Sequence, residues 1–491
     1  MRRYCLVGEP FGNTIKMVLL CATMAPLSGF AHSFATPYTL PVPFWMYVYG
    51  ATAALILSFM VAAILANVRL RDPQPGGGRK QIGMPQSIVR ILRVGSTATL
   101  GVAILCGFAG SKNPFLNLNM TLFWIGFVLA LTYTVAVIGD VFSICNPWKV
   151  IFDWIDGSLR IAKKTNTYVW PDWLGCYPAL ALYIIFILIE LFGQTTPYSL
   201  SVVLCIYNLI NFVMARLLGS ENWFKNGEFF GIFFNLVGKI SPAKYKIDSS
   251  GAVVMEWRMP FSDLLSGERV HPSMTLFVLF MLASTAFDGA HETLPWSRLF
   301  WKYIYPFIDP LVKAHSDRPY AVAAVLYNRW QWIMLLMSLI IYYLFYVGFV
   351  WLGLVLSASP TGARKVGDSF VFTLVPIALA YHFTHYYTLL LSQGSQVVKL
   401  ISDPLGVGWN LFGTASLGIQ SYILSPNTIW HTQVGLILLG HIASVFLAHI
   451  RAQAIFGDTK GVLLSQVPML GLMVVLTSSG LWILSLPISS G

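Results

Sequence analysis

The sequence predicts an all-α fold, a bundle of about ten transmembrane helices that follows an N-terminal signal peptide. First, 56% of its 491 residues are hydrophobic, only 10% are charged and the mean hydropathy is +0.68, whereas a soluble domain carries about 25% charged residues. Second, many apolar runs are long enough to cross a hydrocarbon core of ~30 Å. Third, Lys and Arg concentrate in alternate loops between these runs. Together these features exclude a water-soluble enzyme and a disordered scaffold.

The N-terminal segment resembles a secretory signal. Basic residues up to Lys16 precede the apolar run 17–27, and Gly-Phe-Ala follows at 29–31 as a small-x-small cleavage pattern. We therefore expect residues 1–31 to be a signal peptide and residues 32–491 to form the transmembrane domain. An uncleaved membrane anchor is the alternative.

Ten apolar runs follow this segment and are predicted to span the membrane. Their approximate bounds are 44–67, 94–110, 120–142, 174–194, 198–218, 273–291, 331–356, 369–392, 429–450 and 464–487. Two aromatic-rich segments, 222–238 and 292–330, are predicted to lie at the membrane interface.

Loop charge predicts the orientation. With residue 32 outside, the inner loops hold 21 Lys and Arg residues and the outer loops hold seven, in agreement with the positive-inside rule. We expect a multi-pass protein of the bacterial inner membrane whose mature N-terminus lies outside.

The net charge of +11 belongs to these loops, so no nucleic acid is expected as a partner. The six cysteines form no CxxC pair, which argues against a disulfide framework or a zinc–thiolate site.

Histidines within the predicted spans are the first candidates for chemistry. His382 and His385 are three residues apart and share one face of the eighth span, and His441 lies at a similar depth in the ninth. Three neutral imidazoles suit zinc or copper, and such a metal can activate a bound water. The alternative is that these histidines only form hydrogen bonds between helices.

A second candidate group lies at the end of the sixth span, where Asp288, His291 and Glu292 occur within five residues. A carboxylate and an imidazole on one helix face can act as a general base and its orienting partner. The alternative is an ordinary helix end at the water interface.

His32, the predicted mature N-terminal residue, is a candidate copper ligand through its amine and imidazole.

Several segments also resemble one family of bacterial polytopic membrane proteins. They are Leu-Pro-Val-Pro-Phe-Trp at 40–45, Gly-Asp-Val-Phe-Ser-Ile-Cys-Asn-Pro-Trp at 139–148, Ser-Thr-Ala-Phe-Asp at 284–288, Thr-His-Tyr at 384–386, Ser-Asp-Pro-Leu-Gly-Val-Gly-Trp-Asn-Leu-Phe-Gly-Thr-Ala at 402–415, Gly-His-Ile at 440–442 and Ala-His-Ile-Arg-Ala at 448–452. Members of this family are often named fenitrothion hydrolase. The family pattern has Asp where this chain has Ile450, which argues against a catalytic role beside His449.

The resemblance implies hydrolysis of the P–O–aryl bond of a neutral phosphorothioate triester such as fenitrothion. We expect water activated by a metal or a base to be the nucleophile. The expected partners are the lipid bilayer and a hydrophobic small-molecule substrate, and the need for a second membrane subunit is left open. Two alternatives stay open: a transporter or copper-handling protein that uses the intramembrane histidines, and a structural subunit without chemistry.

Overall fold

The computed structural model confirms an all-α polytopic bundle. Within the part of the chain that it describes, nine helices are long and apolar enough to cross a membrane. The predicted signal peptide and His32 lie outside the described residues. The structure describes residues 44–65, 81–159, 170–248, 251–265, 270–358, 362–417, 424–456 and 459–486.

The described helices are numbered here in chain order. They are α1 (Phe44–Leu65), α2 (Gln86–Ala109), α3 (Leu118–Ile138), α4 (Phe142–Cys145), α5 (Pro147–Leu159), α6 (Tyr177–Phe192), α7 (Pro197–Leu218), α8 (Ser220–Asn226), α9 (Phe229–Gly238), α10 (Pro272–His291), α11 (Leu294–Arg298), α12 (Tyr305–His315), α13 (Pro319–Ser357), α14 (Ala363–Gly394), α15 (Val397–Ser402), α16 (Pro426–Phe456) and α17 (Thr459–Ser485).

Nine of the ten predicted spans match a helix of spanning length, and the exception is the run predicted at 174–194. It forms α6, which has only 16 residues and so extends ~24 Å at 1.5 Å per residue. Conversely, α13 has 39 residues and extends ~58 Å, well beyond a hydrocarbon core of ~30 Å. Its first part therefore belongs to the segment 292–330, where α11 and α12 also lie.

Local irregularities interrupt several of the long helices. In α3, residues Thr121–Ala130 adopt a π-helix, and a second π-helix, Leu299–Ile304, joins α11 to α12. In α14, a 3-10 turn at Val371–Leu374 precedes Pro376, whose ring and missing N–H prevent regular helical bonding to the preceding turn. Another 3-10 turn covers Ser262–Leu265.

A small sheet, which the sequence did not predict, packs outside the helix bundle. Its strands are β1 (Gln81–Gly83), β2 (Ala243–Ile247) and β3 (Val253–Trp257), in the antiparallel order β1-β3-β2. Strand β3 thus joins two parts of the chain that lie more than a hundred residues apart.

The segment 222–238, which was predicted to lie at the membrane interface, is largely buried against the other helices. Gly227 divides it into α8 and α9, and eight of the ten residues of α9 are buried. The helix packs against α6 and α14. Its phenylalanine side chains are buried in the protein interior. Glu228 caps its N-terminus by accepting hydrogen bonds from the backbone amides of Phe230 and Gly231.

Five helices surround the polar centre of the bundle. Helix α10 packs against α6 and α14, while α14 also contacts α3 and α16. Because α10 is buried along most of its length, polar side chains on it must find partners on these neighbouring helices.

Candidate functional site

Asp288 is the centre of a polar cluster inside the bundle. It lies in the last turn of α10 and is only 2% exposed. Its Oδ2 accepts a hydrogen bond from His385 Nε2 of α14 at 2.8 Å and another from the Tyr386 hydroxyl at 2.8 Å. A carboxylate this deeply buried needs such donors, because an unpaired charge in an apolar medium costs several kcal/mol.

The cluster extends to Glu190 on α6. The Tyr386 hydroxyl lies 2.8 Å from Glu190 Oε1 as well as 2.8 Å from Asp288 Oδ2. Glu190, Tyr386, Asp288 and His385 thus form one continuous chain of hydrogen-bonded groups across three helices. Glu190 is two residues from the end of α6, which is ~3 Å along the helix axis, so this end of the chain lies near one face of the bundle.

A narrow cavity lies against this cluster. Its volume is about 20 Å³ for the centres of water-sized molecules, which is room for about one water. Aromatic rings form most of its wall, and its polar groups come from α6, α10 and α14. The lining includes Val128, Tyr183, Phe186, Glu190, Phe229, Phe230, Phe233, Phe234, Ser284, Thr285, Asp288, His382 and Tyr386.

His382 lines the same cavity from α14. Its Nδ1 lies 3.2 Å from the Tyr133 hydroxyl of α3, which is also 3.4 Å from the His382 carbonyl oxygen. Its ring is 5.0 Å from the Tyr386 ring, centroid to centroid. When Tyr133 donates to Nδ1, the proton of the neutral imidazole resides on Nε2, which then serves as a hydrogen-bond donor.

Two other predicted catalytic residues lie beside the cluster rather than within it. His291 Nδ1 is 2.6 Å from the backbone oxygen of Asp288 and 3.7 Å from its Oδ1, so the closest contact of this imidazole is with its own helix. Glu292 is the residue that follows α10, and its backbone N–H bonds to Ala290. Neither residue is among those that line the cavity.

The three histidines predicted to hold a metal have three different sets of partners. His385 binds Asp288 and His382 contacts Tyr133, whereas His441 Nδ1 bonds to the Ile437 backbone oxygen at 2.8 Å and its ring packs on Tyr381. The Nε2 atom of His441 is buried without a hydrogen-bond partner among the described residues.

The three imidazoles therefore do not meet at one point in this structure. Among the residues that the structure describes, no three His, Cys, Asp or Glu side chains are grouped as metal ligands would be. The metal stays a prediction, and no step below depends on one.

His449 is fully engaged in hydrogen bonds. Its Nδ1 lies 2.8 Å from Gln466 Oε1, which can only accept, and its Nε2 lies 3.4 Å from Gln453 Nε2, which can only donate. Both imidazole nitrogens are used, which is the pattern of a structural histidine between α16 and α17.

Sequence reasoning missed the part of the site contributed by Glu190 and Tyr386. Glu190 was visible as a lone acid in an apolar run, and intramembrane acids are costly and tend to be functional. What the sequence did not supply was the helix packing that places Tyr386 between Glu190 and Asp288.

The cluster has the parts of an acid–base centre. A carboxylate that is held in place by an imidazole and a phenol can take a proton from a water molecule. The imidazole stabilises the charges of the site during this proton transfer. The aromatic wall excludes bulk water, which strengthens each electrostatic interaction inside the cavity.

The chain matches no family model, no curated protein and no solved structure.

Proposed function

We propose that this protein is a membrane-embedded hydrolase that cleaves the P–O–aryl bond of a neutral phosphorothioate triester such as fenitrothion. The observation that carries the proposal is the 2.8 Å contact between Asp288 and His385, together with the narrow cavity that Asp288 lines. The resemblance of the sequence segments described above supplies the substrate class, since the cluster alone supports only an acid–base reaction.

In this proposal Asp288 is the general base. A water in the cavity gives a proton to the Asp288 carboxylate as its oxygen attacks phosphorus, and the P–O(aryl) bond breaks with the electron pair leaving on the aryl oxygen. A nitrophenolate is a stable leaving group near neutral pH, so the reaction requires no strong general acid. General base catalysis of this kind contributes about 10²–10⁴-fold to a rate.

His385 and His382 have different roles in the same step. His385 donates Nε2–H to Asp288 and fixes the orientation of its carboxylate, so it is a positioning residue. His382 lines the cavity, and an Nε2–H there would stabilise negative charge that develops on the phosphorus substituents.

The substrate would enter from the lipid. Neutral triesters are oily and partition into a bilayer, and the chain is a multi-pass membrane protein. The cavity has room for about one water in its present form, so binding of a triester requires the phenylalanine side chains of α6 and α9 to move apart. We further propose the bacterial inner membrane as the location, with the mature N-terminus outside, and a second membrane subunit as an optional partner.

A second candidate function is proton-coupled transport. The chain of hydrogen-bonded ionisable groups from Glu190 to His385 favours it, because such chains serve as proton relays in membrane pumps and transporters. A copper-handling role is the other form of this alternative, and His441 with its unpartnered Nε2 is the residue that favours it.

The test measures nitrophenol release from fenitrothion by vesicles that contain only the purified chain. We expect release by the wild type and a loss of at least 100-fold in Asp288→Asn. We expect a similar loss in His385→Ala. His431→Ala is the matched control, because His431 is exposed, its Nδ1 bonds to the Asn427 backbone oxygen of its own helix, and its ring packs edge-on against Tyr47 of α1.

The outcomes separate the hypotheses. Release that persists in both cluster variants would contradict the assignment of the site, and loss in His431→Ala as well would indicate a non-specific effect. If folded wild-type protein releases no nitrophenol but acidifies or alkalinises the vesicle interior, the hydrolase proposal fails and the transport alternative is favoured.

A further inference from the structure

The contacts of the Tyr386 hydroxyl determine how many protons the carboxyl groups of Glu190 and Asp288 hold between them. Two oxygen–oxygen contacts of 2.8 Å meet at its hydroxyl, one from Glu190 Oε1 and one from Asp288 Oδ2. Each contact of this length needs a hydrogen between its oxygens. The tyrosine supplies one hydrogen, and two ionised carboxylates supply none, so the second must reside on one of the carboxyl groups.

The neighbours of the two acids decide which one carries it. Asp288 Oδ2 also accepts from His385 Nε2 at 2.8 Å, and a carboxylate with an imidazole donor is stabilised in its ionised form. The Glu190 carboxyl contacts the Tyr386 hydroxyl, and no lysine or arginine is among the residues that line the cavity beside it. The hydrogen therefore belongs to Glu190, which donates to the Tyr386 oxygen while Tyr386 donates to Asp288.

We propose that Glu190 and Asp288 form a one-proton pair connected by Tyr386, and that Glu190 is the proton-exchange residue of the site. In the resting arrangement the proton is on Glu190 and Asp288 is ionised. Transfer of the Glu190 hydrogen to the Tyr386 oxygen, together with transfer of the Tyr386 hydroxyl hydrogen to Asp288, reverses the direction of both hydrogen bonds. The result is the second arrangement, in which the proton is on Asp288 and Glu190 is ionised.

The titratable groups that face this pair come from three helices. Helix α9 contributes only phenylalanine rings to the cavity wall. The groups are Tyr183 of α6, His291 of α10 with the adjoining Glu292, and His382, His385 and Tyr386 of α14.

The pair gives the proposed reaction a way to restore its base, and this role rests on the proposed function. After Asp288 has taken a proton from water, Glu190 releases its own proton at the end of α6. Asp288 then donates its proton to the Tyr386 oxygen as the Tyr386 hydroxyl hydrogen passes to Glu190. One proton leaves the site for each proton taken from water, and Asp288 is ionised again.

The proton count itself is testable without any substrate. Infrared spectra of the purified protein in H2O and D2O reveal protonated carboxyl groups by the deuterium shift of their carbonyl stretch. We expect a difference between the wild type and Glu190→Gln that corresponds to the loss of one such group. The control Glu221→Gln, in which the replaced side chain is exposed and bonded to Lys149, should lose none.

Two further variants keep the test decisive. In Tyr386→Phe we expect the carboxylic acid band to persist but to shift, because its hydrogen-bonding partner is removed. If the band instead disappears in Asp288→Asn and persists in Glu190→Gln, the proton resides on Asp288 and the proposal is overturned. It is equally overturned if Glu190→Gln is folded and its spectrum matches that of the wild type.

A kinetic measurement tests the exchange role. In the nitrophenol assay Glu190→Gln should lower kcat at least tenfold with little change in KM, and Glu190→Asp should recover part of the rate. An unchanged kcat would contradict proton exchange through Glu190. Absence of hydrolysis in the wild type would remove the proposed reaction but would leave the infrared result to decide the proton count.

Discussion

Two carboxyl groups inside the bundle each contact a tyrosine hydroxyl, but they differ in the number of donors that they receive. Glu228 is 0% exposed and accepts from four groups: the Tyr207 hydroxyl at 2.5 Å, the Gly231 and Phe230 amides at 2.7 and 2.9 Å, and Asn146 Nδ2 at 3.1 Å. Among the described residues, no other carboxylate accepts from these four donors.

Glu190 has the opposite arrangement. Its carboxyl shares a single tyrosine hydroxyl with a second carboxyl, that of Asp288, and both line a cavity. A carboxylate with four donors is held in one charge state and serves as a helix cap. A pair of carboxyl groups that share one tyrosine donor needs one further hydrogen, which either carboxyl group can carry, and the contact of Asp288 with His385 favours its placement on Glu190. The number of donors thus distinguishes a structural acid from an acid suited to chemistry.

The largest effect expected from this comparison is a difference in stability between two variants that carry the same Glu→Gln substitution, one at Glu228 and one at Glu190. Glu228→Gln places an amide NH2 against groups that are themselves donors, and we expect a loss of about 3–5 kcal/mol in the free energy of unfolding. Glu190→Gln keeps the shape of a protonated carboxyl, and its NH2 can still donate to Tyr386, so we expect a loss below about 1 kcal/mol. Thermal unfolding of both variants in detergent measures the difference.

Equal losses in the two variants would break the comparison, because they would mean that both acids are held in the same charge state. Glu221→Gln serves as the baseline, since Glu221 makes a surface ion pair with Lys149 and such pairs contribute little.

The sequence predicted the bundle well because hydropathy and helix length depend on local composition. It also identified Asp288 and His385, since ionisable groups in apolar runs are visible without a structure. It paired Asp288 with His291 because the two are three residues apart on one helix, whereas the structure pairs Asp288 with His385 across two helices. Spacing along one helix gives a shared face, but contacts between helices depend on packing angles that a single sequence does not contain.

Two other features were outside the reach of the sequence for the same reason. The burial of α9 was missed because its polar beginning and aromatic middle are typical of an interfacial helix, and the cap at Glu228 becomes visible only when Asn146 and Tyr207 come close. The three-stranded sheet joins short segments that lie before α2 and after α9 in the chain, and strands of three to five residues carry little periodicity.

A smaller effect concerns the wall of the cavity. Phe233 is 8% exposed and lies both at the cavity and 6.1 Å from the His382 ring, centroid to centroid. Phe233→Leu should cost about 1–2 kcal/mol of stability and widen the cavity, so that kcat/KM for a bulky aryl triester rises about tenfold relative to a small one. Competition between two triesters in one assay measures this ratio.

Phe370→Leu is the control for this prediction, because Phe370 is equally buried in α14 but does not line the cavity. A selectivity change of the same size in both variants would show that loss of packing, rather than the cavity wall, sets the preference.

The smallest effect lies outside the membrane-spanning helices, at an acid whose donors are cations. Burial alone would raise the pKa of Asp263, but the hydrogen bond from Lys244 at 2.6 Å and the adjacent guanidinium of Arg258 lower it below its ordinary value. Because the pKa is lower in the folded state, these contacts stabilise the fold above the ordinary Asp pKa of about 3.9, and that contribution disappears as the pH falls through the folded-state pKa.

Asp263→Asn should therefore lower the free energy of unfolding by about 1 kcal/mol at neutral pH and by progressively less as the pH drops below about 4. Thermal unfolding of the wild type and the variant across that pH range measures the difference. Asp309→Asn is the control, because Asp309 bonds to Lys313 and Tyr305 of its own helix α12, and this substitution should change stability little at any pH. A difference for Asp263→Asn that grows on acidification would reverse the sign expected from its cationic partners, and would indicate that Asp263, like Glu190, is protonated in the folded protein.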